Sequence, residues 1–226
     1  MIPCLPCVDL TAISEGRLRN MAEPAEKRFK SSLPWCASHR SSSSSSSSTG
    51  RGALPLQPAL EEALCGVSGL LFHGAYRLQA LACAFERDDV AFPRLALFFR
   101  HVAQRQQEET QQLQWYLAQR GGTYCSKDIQ RPGCEAVGAV LPALDLLLLQ
   151  LREEVGFLAE LSELSRDSGD PQTCSVVKTL LLSPRVERLK QLGDMLTSAR
   201  RLGCTNDPTG QFGEYLLNEL QEELKG

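Results

Sequence analysis

Residues 119–134, QRGGTYCSKDIQRPGC, separate two long segments of helical apolar periodicity. The helix predicted before this stretch, roughly 27 residues, is about 40 Å long at about 1.5 Å per residue. The stretch itself reaches about 50 Å when extended. Gly121-Gly122 stops the preceding helix, and the segment is long enough to run back along a whole bundle. The helices on either side are then parallel. This predicts an all-α chain, a four-helix bundle with one long crossover between helices two and three rather than a simple up-and-down bundle.

N-terminal to the crossover, Leu64, Val67, Leu71, Leu78 and Leu81 recur at steps of three, four or seven and define a first helix over about 58–86. Arg87-Asp88-Asp89 ends it. Asp88 or Asp89 is expected to cap the second helix, with Pro93 in its first turn and its end near Ala118. The third helix is expected from about Glu135, with Leu141, Leu144, Leu148, Leu151, Val155, Leu158 and Leu161 on one stripe. A fourth runs from Pro171 to Leu202, closed by Gly203, and a short fifth C-terminal helix covers about Gln211 to Leu224. Pro142 and Pro184 interrupt the pattern. Pro184 lies inside the fourth helix and predicts a kink there, since an interior proline removes a backbone bond.

Before the bundle, residues 1–56 show little apolar periodicity and contain the run Ser41 to Ser48. Such a segment buries too little surface to offset its ordering entropy and reads as a disordered arm. The bundle domain is taken as 57–226. Arg and Ser in the arm raise the alternative of mitochondrial import, but Asp9, Glu15, Glu23 and Glu26 are atypical of such leaders, and Met21 is an alternative start. Nine scattered cysteines without a secretory signal read as reduced thiols of a cytoplasmic chain. Cys4 and Cys7 form the only C-x-x-C, without the two further ligands that zinc needs. A net charge of -3 gives no basic excess for nucleic acid. The leucine run 141–151 is broken by Asp145 and Gln150, well short of the ~20 apolar residues of a membrane span.

At Phe85-Glu86-Arg87-Asp88-Asp89-Val90-Ala91 the sequence resembles the animal ferritin family, whose first two helices meet in a near-identical turn. Matches follow in order at Gln119-Arg120-Gly121-Gly122, Asp128-Ile129 with Pro132, Asp170-Pro171 with Cys174, Leu192-Gly193-Asp194 and Gly213-Glu214-Tyr215-Leu216. Phe98-Phe99-Arg100 looks more like the light chain than the heavy chain. The resemblance implies a ferritin-like bundle, iron held as a mineral, and other ferritin subunits as partners in a homo- or hetero-oligomeric shell of 24.

Heavy chains of that family oxidise Fe(II) at a di-iron centre inside the bundle, which needs carboxylates, imidazole and open positions for oxygen. By position, the first-helix glutamate falls at Leu71 and its neighbouring tyrosine at Leu78. The second-helix glutamates fall at Arg105 and Gln106, the histidine at Glu109, the third-helix glutamate at Leu151 and the fourth-helix glutamine at Arg185. Leu71 and Leu151 read as core. Only Glu109 is left to hold iron, with Arg105 expected to repel it. The light chain's mineral-seeding columns fall at His101, Gln104, Arg105, Glu108 and Gln111, of which only Glu108 is acidic. Glu108 and Glu109 are therefore the candidate metal residues, against a plainer reading of 104–109 as a solvated face. The family's uptake pore has acids where this chain has Ser175 and Lys178, beside Cys174, read as a lone buried thiol. His73 has no acidic partner nearby and reads as an ordinary surface or core histidine.

The resulting expectation is an iron-storage subunit of light type, not an enzyme. The alternative is a degenerate relative that keeps the bundle but serves as an interaction protein.

Overall fold

The computed structural model describes residues 56–134 and 137–202. They form α1 (Pro58–Phe85), α2 (Pro93–Gln119), α3 (Val140–Asp167) and a fourth rod made of α4 (Pro171–Val176), a π-helical stretch Val177–Leu182 and α5 (Ser183–Arg201). No strand occurs among the described residues. The N-terminal arm and the fifth helix lie outside them.

The crossover does what its length predicts, and its contacts show the path. Glu61 in the first turn of α1 takes the Thr123 N–H. Cys65 Sγ lies 3.8 Å from Thr123 O and 3.3 Å from Cys125 N. A Cβ on Gly69 would stand 2.9 Å from Lys127 Cβ, and Cys134 Sγ donates to Arg77 O at 3.6 Å. Residues 123–134 thus climb α1 from Glu61 to Arg77, about 24 Å of helix at about 1.5 Å per residue. A Cβ on Gly138 would lie 3.5 Å from Val90 Cγ2, in the turn that leads into α2. α3 therefore starts at the same end as α2 and runs parallel to it.

Several boundaries differ from the sequence reading. α3 begins at Val140, not near Glu135, which places Pro142 in its first turn, where the missing N–H breaks no helical bond. Neither Asp88 nor Asp89 caps α2. The cap position is Phe92 without a side-chain bond, Asp89 turns back onto Arg87, and Ala91 takes φ 55 to close the turn. Just ahead of Pro184, where a kink was expected, the rod is wound as π-helix over Val177–Leu182. A proline lacks the N–H and crowds the carbonyl four residues back, and a wider turn is one way a helix absorbs that. On α3 the buried stripe is turned by one position, with Leu147, Gln150 and Glu154 inside and Leu148 and Val155 only half-buried.

Two apolar clusters fill the bundle. One end packs Leu78, Leu81 and Phe85 with Phe99, Leu144, Leu147 and Leu196. The other packs Leu60, Leu64 and Leu71 with Leu113, Leu117, Leu158 and Leu181. Each fully buried leucine contributes about 1.5–3 kcal/mol.

Asp170 joins two helix ends. It caps α4 by accepting the Thr173 N–H at 3.0 Å, and both its oxygens take the Arg120 guanidinium, at 2.7 and 3.2 Å. Burial works to raise its carboxyl, but Arg120 and Thr173 outweigh it and hold the group below the usual carboxylate range. Asp170→Ala is expected to cost about 1–3 kcal/mol at neutral pH, through the lost cap and the orphaned guanidinium. A depressed carboxylate contributes above its unfolded value, about 3.9, and loses that contribution as pH falls through the folded value. Melting temperatures of variant and parent should therefore converge below about pH 4, which thermal scans across pH would check.

Candidate metal centre

Between the two apolar clusters lies a polar layer built by short helical spacings. α2 supplies Gln106 and Glu109, α3 Gln150 and Glu154, α5 Arg185 and Arg188, and α1 Gly74. Steps of three or four put each pair on one helix face, turned inward. Leu71 and Leu151, both fully buried, bound the layer from the two clusters.

Arg185 is fully buried and holds the layer together. Its Nε donates to Glu154 Oε2 at 2.8 Å, and its Nη1 donates to Glu109 Oε2 at 2.7 Å and to Leu181 O at 3.0 Å. Glu154, 1% exposed, takes two amides on its other oxygen, Gln106 Nε2 at 2.8 Å and Gln150 Nε2 at 2.9 Å. Gln106 Nε2 also donates to Leu71 O at 3.0 Å, and Arg188 Nη2 reaches Glu109 Oε1 at 3.5 Å. Two carboxylates face two guanidiniums, so the formal charges cancel. Burial pulls the Arg185 guanidinium down, but Glu154 and Glu109 more than offset it and it stays charged. For Arg188 burial prevails over Glu109, and its pKa is lowered. Gly74 leaves room for this layer: a Cβ there would fall on the Gln106 and Gln150 amides and 2.7 Å from Glu154 Oε1.

The residues singled out from the sequence divide clearly. Glu109 points inward and is engaged by Arg185 and Arg188. Glu108 is exposed and accepts from Gln104 Nε2 at 3.0 Å. Neighbours on a helix point about 100° apart, and the two glutamates do not converge. Arg105 is exposed; the two guanidiniums that meet Glu109 both come from α5. The reading of 104–109 as a solvated face fails at Gln106, which is fully buried, and at Glu109, while Gln104, Arg105 and Glu108 fit it. His101 and Gln111 are exposed, and Leu78 is core. His73 is buried with a ring nitrogen 3.0 Å from Arg77 Nη2, and burial, then Arg77, lowers its pKa. Among the described residues no three His, Cys, Asp or Glu side chains are grouped to hold a metal ion.

Gln150, Glu154, Arg188 and Gly74 were missed from the sequence. The signal was present: Gln150 and Glu154 stand at steps of three, four and four between Leu147 and Leu158, the spacing of a core stripe.

A second feature lies where α3 gives way to α4, a surface pocket of about 470 Å³ lined by Arg166, Asp170, Cys174, Ser175 and Lys178, among others. Asp170 is already bonded to Arg120, which leaves two cations to set the pocket's field. Cys174 is half-buried rather than buried. A hydrogen bond with Ser162, aided by Lys178, lowers its thiol pKa.

Comparison with known proteins finds a matching family and many relatives, among them three ferritin chains. The ferritin-like domain family model matches residues 62–202. The chain is 32% identical over 163 residues to a ferritin light chain of Oryctolagus cuniculus, covering 72% of this chain and 91% of that one. It is 31% identical over 161 residues to a ferritin light chain of Felis catus, covering 71% and 90%. It is also 31% identical over 160 residues to a ferritin middle subunit of Aquarana catesbeiana, covering 70% and 89%. No helix of the described residues is long and apolar enough to cross a membrane.

Proposed function

The chain belongs to the ferritin family, and from that premise we propose that it is a light-type structural subunit of an iron-storage shell, without a ferroxidase centre of its own. The observation that supports this most is Arg185, a buried guanidinium bonded to both Glu109 and Glu154. A guanidinium has five donors, no acceptor and a permanent charge. Iron at that place would have to displace it, and Leu71, Gln106 and Leu151 offer no carboxylate in compensation. The layer does by ion pairing what two metal ions would otherwise do, neutralising buried carboxylates.

On this reading Fe(II) is oxidised by other subunits of a mixed shell in the cytoplasm, mitochondrial import being the alternative. Residues 57–226 form the shell domain and 1–56 a dispensable arm. Of the two acids singled out from the sequence, Glu108 is the one proposed to meet ferric iron, since Glu109 is engaged. The pocket at Ser175 and Lys178 is proposed to line the uptake pore, where its cations oppose Fe(II).

Co-expression with a ferroxidase-competent ferritin subunit tests this. The chain is expected in the shell-sized fraction. At equal incorporation, mixed shells carrying Ser175→Asp with Lys178→Glu should take up Fe(II) several-fold faster at low salt. The difference should fade near 1 M salt, where screening acts over about 3 Å. Equal rates at every ionic strength would rule out a pore role for this pocket. A chain that never enters shells would favour the interaction-protein reading.

A further inference from the structure

We propose that Cys65 and Cys125 form a reversible disulfide that fastens the crossover to α1. Cys65 sits on α1, 1% exposed, with its sulfur held between two residues of the crossover. It donates toward Thr123 O at 3.8 Å and accepts the Cys125 N–H at 3.3 Å. Adding an N–Cα bond of about 1.5 Å leaves Cys125 Cα no more than about 4.8 Å from Cys65 Sγ, so the two cysteines are direct neighbours across the crossover. Cys125 itself is exposed, its thiol now turned toward Ser126 O at 3.8 Å. Rotation about its Cα–Cβ bond carries that sulfur toward the other.

The two thiols have different parts. Burial, partly offset by the Cys125 N–H, pushes the Cys65 thiol up, which makes it a poor first nucleophile; the exposed Cys125 meets the oxidant. With hydrogen peroxide as oxidant, the Cys125 thiolate attacks one peroxide oxygen and the O–O bond breaks. Hydroxide leaves, takes a proton and becomes water, and Cys125 is a sulfenic acid. Cys65 then gives up its proton as its sulfur attacks the Cys125 sulfur. The S–O bond breaks, and the departing hydroxide takes that proton as a second water. Two thiols have lost two hydrogens and two electrons, and peroxide has become two waters. A dithiol reductant reverses the bond by two exchanges.

The bond has a mechanical consequence. Between Thr123 and Cys134 the crossover contains neither helix nor strand and is tied to α1 by side-chain contacts. A covalent tie near its beginning holds it down against local opening.

The test uses the full chain, reduced, desalted and treated with a small excess of hydrogen peroxide before alkylation in denaturant and tryptic digestion. The expected product joins the peptide Gly52–Arg77 to Gly121–Lys127, each with a single cysteine, and two fewer thiols are alkylated. In Cys65→Ser the Cys125 sulfenic acid should persist and be trapped by a 1,3-dione. In Cys125→Ser, Cys65 should stay reduced. Tryptic cleavage after Lys127 in the folded parent should slow on oxidation and recover with reductant. A digest in which Cys125 ends as a sulfinic acid, or joins another cysteine, with Cys65 alkylated as before, would overturn the proposal.

Discussion

Arg185→Met should lower the unfolding free energy by about 3–5 kcal/mol, the usual cost of removing one partner of a buried ion pair. Among the described residues Arg185 is the donor to Glu154 Oε2, and it carries the shorter of the two guanidinium contacts to Glu109. Its loss leaves a carboxylate that is 1% exposed with two neutral amides as its hydrogen-bond donors. The variant Glu154→Met should suffer comparably, because it leaves the guanidinium buried with one carboxylate. Combining both changes should recover much of the loss, since a well-packed apolar pair is often as stable as the ion pair it replaces. Urea denaturation of parent, both single variants and the double variant closes the cycle. Additive losses would mean that the two side chains do not act as a pair.

Gly74→Ala is expected to be the costliest of the glycine substitutions, by about 1–3 kcal/mol as overpacking. In an exposed helix the same change stabilises by up to about 1 kcal/mol. Here the added methyl meets the Gln106 and Gln150 amides and Glu154 at once, and those three groups are bonded to one another, so none moves alone. Gly193 on α5 is the internal control, since a Cβ added there would meet nothing within 4 Å. Gly193→Ala should raise the melting temperature while Gly74→Ala lowers it. A neutral Gly74→Ala would mean that the layer is loose.

The fold was legible because its determinants are local and repeated. The stripe from Leu64 to Leu81 and the length of 119–134 needed no tertiary information, and the crossover runs along α1 as that length requires. Boundaries depended on finer balances: Pro142 marks the first turn of α3, and α2 starts at Pro93 with Phe92 at the cap position, too far along for Asp88 or Asp89 to cap it. The centre was legible only in part. The resemblance placed Leu71, Gln106 and Leu151 where ferritin heavy chains carry carboxylates, and all three are buried. What it did not show was what fills the gap. Glu154 and Arg185 are 31 residues apart in the chain, and nothing in either segment alone identifies the other as its partner. Arg185 read as a ligand lost, whereas packing makes it the cation that joins Glu109 to Glu154.

Whether the buried ion-pair layer has replaced an iron-oxidising centre is tested most directly by the initial rate of oxygen-dependent Fe(II) oxidation by the purified chain as a function of iron added. The rate is expected to be no higher than that of buffer alone, without saturation, and unchanged in Glu109→Ala. Fast oxidation that saturates with iron and is abolished by Glu109→Ala would contradict that replacement.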